Sequence, residues 1–274
     1  MINLLFCGNY KVVDGILLCL MSIIKHTKSP LNVFILTADV QEINPTYKPI
    51  EKYDAQFLEN VIKKTNNNSK INLISLDKTF NSWINSSKNR LSSYTPFAFL
   101  RLFADKIENF PNKIIYLDSD IMVNSNIDEL NNIDISNYEL AVVKDRYGRF
   151  FINPKYFNSG MLIMNMVKIK ETGLLEKVRN LCFKKRLFFP DQTALNKCCK
   201  IKLFLPRKFN EQGSLKANTI IHHFSKKIKW FPLFHTVNIK PWQIEDVQNI
   251  YNCHAYDDIY KDYQLLKNEL TNQH

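Results

Sequence analysis

The segment Lys113-Ile-Ile-Tyr-Leu-Asp-Ser-Asp120-Ile-Met-Val123 sets two carboxylates, Asp118 and Asp120, one residue apart at the end of an apolar run. That run, Ile114 to Leu117, predicts a buried parallel strand. Ligands of open α/β sheets bind just beyond the carboxyl ends of the strands. Paired acids at that point offer hard oxygen ligands for a divalent cation. A cation so held can neutralise the phosphates of a nucleotide. A polar turn closing a strand would use the same residues, so the pair needs support from elsewhere in the chain.

Four further segments can supply it. Cys7-Gly8-Asn9-Tyr10 follows the first apolar strand. There Gly8 permits close backbone approach, Asn9 donates and accepts, and Tyr10 can stack on a ring. Phe157-Asn158-Ser159-Gly160 is a small-residue turn feeding a buried strand, with Asn158 suited to bonding hydroxyls. Asp191-Gln192-Thr-Ala-Leu-Asn196 opens a helix, where an acid also suits the helix dipole. His222-His223-Phe224 carries imidazoles on a strand into the lysine-rich Ser225 to Trp230. An imidazole can complete a shell begun by two carboxylates, and its nitrogen favours Mn²⁺ over Mg²⁺. Lys229 can then reach a diphosphate as a point charge.

These segments must be carried by regular elements, and the pattern supplies them. Strands are expected at Leu4 to Cys7, Val33 to Leu36, Ile71 to Leu76, Glu139 to Val143, Gly160 to Asn165 and Thr219 to His223. Helices are expected at Val12 to His26, Tyr53 to Lys64, Thr95 to Ile107, Val167 to Lys185, Pro190 to Cys198 and Tyr256 to Leu270. Strand–helix alternation implies right-handed βαβ units and a mostly parallel sheet. The last helix places Ile259, Tyr260, Tyr263, Leu266 and Leu270 on one stripe, which reads as packing surface because its polar face mixes acids and lysines. No repeat, Pro/Gly linker or composition break divides the 274 residues, so one domain is expected.

With 45% hydrophobic and 12% aromatic residues the chain is not intrinsically disordered. A net charge of +11 points to an anionic partner. No aromatic-interleaved basic motif supports nucleic acid. No apolar stretch approaches a membrane span, and the opening residues lack a leader's basic region. Six cysteines without Cys-x-x-Cys spacing argue for a reduced, cytoplasmic setting and against zinc.

Taken in order and spacing, the Tyr-Leu-Asp-Ser-Asp strand, the Phe-Asn-Ser-Gly turn, Asp-Gln-Thr-Ala-Leu-Asn, and His-Phe followed by Lys-Trp resemble glycosyltransferase family 8. That family includes bacterial lipooligosaccharide galactosyltransferases and glycogenin, and the resemblance runs from Leu4 to Trp230. It implies a GT-A fold, a Rossmann-like α/β domain that binds a UDP-sugar and Mn²⁺, with Mg²⁺ as the alternative ion. Residues 1–123 would form the nucleotide-binding half, 124–240 the acceptor and metal half, and 241–274 C-terminal helices. The metal ligands would be Asp118, Asp120 and His223. Lys229 would hold the diphosphate, Arg101 the donor sugar or its phosphate, and Cys7, Gly8, Asn9 and Tyr10 the uridine, with Ser119 beside them. Asn158 and Gly160 would line the sugar pocket, Asp145 would stand near the sugars, and Asp191 and Gln192 would flank the anomeric carbon.

The family retains anomeric configuration, so a hexose from UDP-glucose or UDP-galactose would pass to a saccharide or lipid-linked glycan. A peripheral contact with the anionic inner face of a membrane would suit the charge. Three departures stand out. The acid that usually precedes Asn-Tyr in the first loop is missing. The usual His-Phe/Tyr-x-Gly-x-x-Lys-Pro-Trp has Lys226 for the glycine and no proline after Lys229. A Lys240-Pro241-Trp242 triplet follows His235 by five residues, so His235 with Lys240 is the alternative to His223 with Lys229. Two rival functions remain: an inactive relative serving as a nucleotide-sugar or carbohydrate-binding module, and an Asp-x-Asp phosphatase, which would leave the His223–Lys229 segment without a role.

Overall fold

The first half of the chain winds as its alternating pattern dictates. In the computed structural model, which describes residues 1–90, 95–229 and 235–271, strands β1 (Ile2–Cys7), β2 (Leu31–Thr37) and β3 (Lys70–Ser75) pair in parallel. The helices Val13–His26 and Lys52–Lys63 make the crossovers. Strand β4 (Lys113–Leu117) joins the other edge of β1, again in parallel, and the short β5 (Ile121–Val123) leaves the sheet after it. Strands β6 (Leu140–Lys144), β7 (Phe157–Asn165) and β8 (Lys202–Phe204) complete seven strands in the order β3-β2-β1-β4-β7-β6-β8. Only β7 runs against the others, pairing antiparallel with both β4 and β6. The mostly parallel sheet expected from the sequence is therefore present.

Period-two alternation splits the strand side chains between two apolar clusters. Leu4, Phe6, Ile115 and Leu117 pack into one. Leu5, Phe34, Ile114 and Tyr116 pack into the other. The C-terminal helix Asp257–Thr271 buries Ile259, Tyr260 and Tyr263 in the first cluster, with Leu266 packed against it, so these four are packing surface; the Leu270 side chain lies outside the described residues. Among the described residues no helix is long and apolar enough to cross a membrane.

The structure differs from the pattern in three places. The helix expected over Val167 to Lys185 breaks at Gly173, whose left-handed φ of 64° ends Met166–Thr172 and starts Leu174–Lys184. Pro96–Lys106 winds with 3₁₀ pitch. A helix at Asp77–Ser86, unmarked in the sequence reading, docks through Phe80 and Ile84. Beyond the main sheet lie β9 (Ile221–His223), paired antiparallel with β5, and β10 (Lys227–Lys229), paired antiparallel with β11 (His235–Val237). Trp230 and the Lys229 side chain lie outside the described residues.

Candidate active site

Two short strands bring an imidazole to the paired acids. The chain leaves β4 at Leu117, and the Asp118 N–H donates to the Gly160 carbonyl of β7 at 2.8 Å. The β5–β9 pairing then sets His223 opposite Ile121, and the Phe224 N–H donates to the Asp120 carbonyl at 2.9 Å. One ligand atom from each of Asp118, Asp120 and His223 falls within 4.8 Å of the others. His223 Nε2 stands 3.1 Å from Asp120 Oδ1 and 3.8 Å from Asp118 Oδ2. Its Nδ1 is held by Asn210 Oδ1 at 3.1 Å, which aims Nε2 at the carboxylates.

The chemistry of this donor set fits a divalent cation. Asp120 Oδ1 is buried and receives no aligned hydrogen bond, His223 being out of line for one. Gly160 lines the cluster closely: a Cβ there would meet His223 Cε1 at 2.2 Å and Asp118 Oδ2 at 2.7 Å. Two carboxylates and a neutral imidazole on one spot suit an ion that accepts both oxygen and nitrogen.

The charges in the cluster are uneven. Burial works to raise the Asp120 pKa, but Lys240 and His223 outweigh it and hold the carboxyl far below the usual range. Asp118 moves the other way. Burial raises it, Arg101 pulls it back, and the Asp120 charge adds to the rise. Burial disfavours a charge on His223, yet Asp120 and then Asp118 lift its pKa above the ordinary imidazole value. A cation entering here would therefore take the place of a proton and of a lysine.

That lysine is Lys240, whose Nζ reaches Asp120 Oδ2 at 2.5 Å. The sequence offered His223 with Lys229 or His235 with Lys240, and the structure joins one member of each pair. His235 is exposed on β11 and is not one of the three residues of the metal cluster. Packing explains why Lys240 arrives. Gly15 leaves a gap on the first helix, where a Cβ would meet the Ser119 carbonyl at 2.4 Å and the Trp242 ring at 2.5 Å. Trp242 seated in that gap fixes Lys240 beside the Asp-Ser-Asp turn.

On the sugar side, a continuous polar network starts at Asp145. Its Oδ1 caps the following turn, accepting from the Tyr147 and Gly148 N–H groups at 3.0 and 2.7 Å. Its Oδ2 accepts from Asn158 Nδ2 at 3.1 Å and Gln192 Nε2 at 3.3 Å. Gln192 Oε1 in turn takes the Ser159 N–H at 3.0 Å. Asn158 Oδ1 accepts from Gly160 N and from Asn210 Nδ2 at 3.0 Å, which returns the network to His223. Asp191 is buried and paired with Arg101.

Arg101 was expected to contact the donor; here its two terminal nitrogens bond within the protein, and its Nε is buried without a partner. Arg101 is 4% exposed, donates to the Ser159 carbonyl at 2.7 Å and to Asp118 Oδ1 at 3.3 Å, and lies 4.4 Å over the Tyr116 ring. Burial opposes its charge, and Tyr116, Asp191 and Asp118 together keep it protonated. Tyr116 also donates its hydroxyl to Asp118 Oδ1. Arg101 thus joins the metal side to the sugar side.

At the first loop, Asn9 is buried and Tyr10 is 43% exposed at the rim. Gly8 is required locally, because a Cβ would fall 2.2 Å from Val12 Cγ2. Burial pushes the Cys7 thiol up, so it stays protonated. Sequence reasoning missed Asn210 and Tyr116. Tyr116 looked like ordinary strand filling. Asn210 sits in Asn-Glu-Gln, three polar residues at 0, 2 and 3% exposure between Phe209 and Gly213, and nothing in that stretch of sequence marks them as buried.

Comparison with known proteins bears on the chain as a whole. The sequence profile described as Glycosyl transferase family 8 matches residues 3–246. A putative glycosyltransferase of Haemophilus influenzae is 28% identical over 225 residues, 76% of this chain and 62% of that protein. Lipopolysaccharide 1,2-glucosyltransferase of Escherichia coli K12 is 28% identical over 165 residues, 53% of this chain and 48% of that protein. The chain thus spans less than two thirds of the curated relatives it matches. Among solved structures, galactosyltransferase LgtC with donor and acceptor sugar analogues superposes with a TM-score of 0.69 at 14% identity, over 98% of this chain and 96% of that one. Glycosyltransferase GlyE of Streptococcus pneumoniae TIGR4 does so at 0.64 and 18% identity, over 100% of this chain and 64% of that one.

Proposed function

The chain belongs to glycosyl transferase family 8 and is a glycosyltransferase of GT-A fold, and from that premise we propose that it moves a hexose, with retention, from UDP-glucose or UDP-galactose to a glycan or glycolipid acceptor. The observation that carries this reading is the convergence of Asp118, Asp120 and His223 at the carboxyl end of β4, with Lys240 on Asp120. Relatives named as a lipopolysaccharide glucosyltransferase and a galactosyltransferase support a hexose and a surface-glycan acceptor. The metal, Mn²⁺ in this reading, would be held by those three residues and would stabilise the charge that grows on the leaving diphosphate.

The protein's own groups do the rest. Lys240 would yield Asp120 to the incoming ion and turn toward the diphosphate, the role the sequence reading gave to Lys229. Asn9 and Tyr10 border the uridine side, and Ser119 lies between the metal acids. Asp145, Asn158 and Gln192 present amide and carboxylate groups to sugar hydroxyls. Asp191, tied to Arg101, is not a free nucleophile, and Gln192 Oε1 already accepts from Ser159 and Asn158. Both facts favour front-side attack, in which the departing phosphate oxygen takes the acceptor's proton, over a covalent glycosyl–enzyme route. Arg101 acts through Asp118 and Asp191 as a positioning residue.

Calorimetric titration of UDP with Mn²⁺, with EDTA, and against Asp120→Ala tests the donor site. Binding that needs the metal and is lost in the variant is the expected result. Binding indifferent to EDTA would leave the family's fold without this use of its acids.

A further inference from the structure

Beside the sugar side of the site the chain exposes an apolar tip. Residues 150–155 are exposed in succession, with Phe150, Phe151 and Ile152 at 72, 69 and 55%. Adjacent large apolar side chains held in water mark a surface that has a partner. They lie at the end of the single helical turn Gly148–Phe151. Successive helical positions point about 100° apart, so the three side chains fan outward instead of lining one plane. A flat platform is what a sugar ring stacks on. A fan is the shape that enters a soft apolar phase.

The charge around the tip selects that phase. Residues 144–155 hold four cations against one acid; Arg146 turns to the Gln212 carbonyl and Lys144 to the Phe204 ring, which leaves Arg149 and Lys155 beside the tip. That acid, Asp145, already accepts four hydrogen bonds within the protein. The Arg149 guanidinium lies 4.5 Å over the Phe150 ring, a cation at the root of an apolar side chain, as at a membrane interface. The tip is also continuous with the site. One oxygen of Asp145 caps the turn that bears it, and the other binds Asn158 and Gln192.

We propose that Phe150, Phe151 and Ile152 enter the headgroup–acyl boundary of an anionic phospholipid bilayer, with Arg149 and Lys155 on its phosphates, so that a lipid-linked acceptor meets Gln192 from the membrane side. This deepens the acceptor reading given above and rests on it for the orientation.

Vesicles of phosphatidylethanolamine and phosphatidylglycerol, compared with phosphatidylcholine alone, supply the test by co-sedimentation of the intact chain. The wild-type protein should sediment with the anionic vesicles and much less with the neutral ones. Phe150→Ser/Phe151→Ser should weaken that partition by about tenfold or more, with UDP binding in Mn²⁺ unchanged as the check on folding. Failure of the wild type to bind anionic vesicles would overturn the proposal, as would undiminished binding by the double variant. A double variant that keeps vesicle binding but loses transfer to a soluble acceptor would make the tip a saccharide contact and overturn it equally. Loss of UDP binding in the wild type would count against the donor reading, and the vesicle result stands apart from it.

Discussion

Replacing Lys240 by methionine should move two affinities in opposite directions. In the metal-free protein the Lys240 ammonium sits 2.5 Å from Asp120 Oδ2 with its side chain 25% exposed. A charge-assisted hydrogen bond of this kind is worth about 1.5–3 kcal/mol. An ion binding to Asp120 must displace that contact, so its removal should tighten binding of Mn²⁺ alone by about tenfold to a hundredfold, each tenfold being about 1.4 kcal/mol. The same ammonium is the group placed to meet the diphosphate. Its loss should weaken UDP binding at saturating Mn²⁺ by a similar factor. Methionine keeps the unbranched chain, so packing around Trp242 is preserved.

Calorimetry of Mn²⁺ alone, and then of UDP at saturating Mn²⁺, reads both effects, with Lys229→Met run in parallel. Opposite signs in Lys240→Met and little change in Lys229→Met are expected. A merely structural lysine would lower both affinities together, and that outcome would refute the reasoning. So would a Lys229→Met variant that loses UDP while Lys240→Met keeps it.

Other perturbations reach the same network from different sides. Gly160→Ala should cost metal-dependent UDP binding at least about tenfold while circular dichroism stays native, because its methyl would press on His223 Cε1; wild-type affinity would show that the cluster has slack. Asn210→Ala releases the His223 ring and should lower Mn²⁺ affinity by about 10–100-fold, read by the same titration. His223 binds its proton more tightly than an ordinary imidazole. Metal affinity should therefore rise by up to about tenfold per pH unit until that proton is gone and then level off, and a flat profile between about pH 5.5 and 8 would contradict this. His222, on the other face of β9, is pushed down to about 4 by burial and then by Lys227. The unfolded chain takes up that proton first as pH falls below about 6.5, so folded stability should drop by about 1.4 kcal/mol per unit down to about pH 4. His222→Gln should flatten that slope in urea titrations, and an unchanged slope would assign the acid sensitivity elsewhere.

Much of the frame was legible because it rests on local chemistry. The runs Leu4 to Cys7 and Ile114 to Leu117 have no polar interruption, and only a strand covered on both faces accepts that. The acids after β4 and the small-residue turn before β7 announced themselves for the same reason. What stayed hidden depends on distant partners. Arg101 looked like a ligand-facing arginine on a helix, and nothing nearby in sequence reveals that Asp191 will meet it 90 residues later. Asn210 became part of the site only through the parallel bridge that runs Glu211 beside His222. The helix Asp77–Ser86 was missed because its apolar positions, Phe80, Trp83 and Ile84, are embedded among Asn, Ser and Lys, which are weak markers of a helix.

The choice of Lys240 over Lys229 in our proposal rests on how the residues after His223 are counted. In the family's usual spacing the phosphate lysine follows the metal histidine by six residues, and that count from His223 lands on Lys229. The antiparallel pair β10–β11 spans Lys227–Val237, eleven residues, and the same eleven separate Lys229 from Lys240. An antiparallel excursion returns the chain close to its point of departure, since Lys227 pairs directly with Val237. Removing those residues from the count restores the six-residue spacing and gives Lys240-Pro241-Trp242 the motif's ending, with Lys226 still in the glycine's place. The insertion is tolerated because its two ends share one ladder position, so Trp242 still finds the gap at Gly15 and Lys240 still finds Asp120. Deleting Lys227 to Val237 should on this argument preserve metal-dependent UDP binding, whereas deleting a single residue between Val237 and Lys240 should destroy it. Calorimetry on the two deletions separates a looped-out excursion from a segment that the donor site needs.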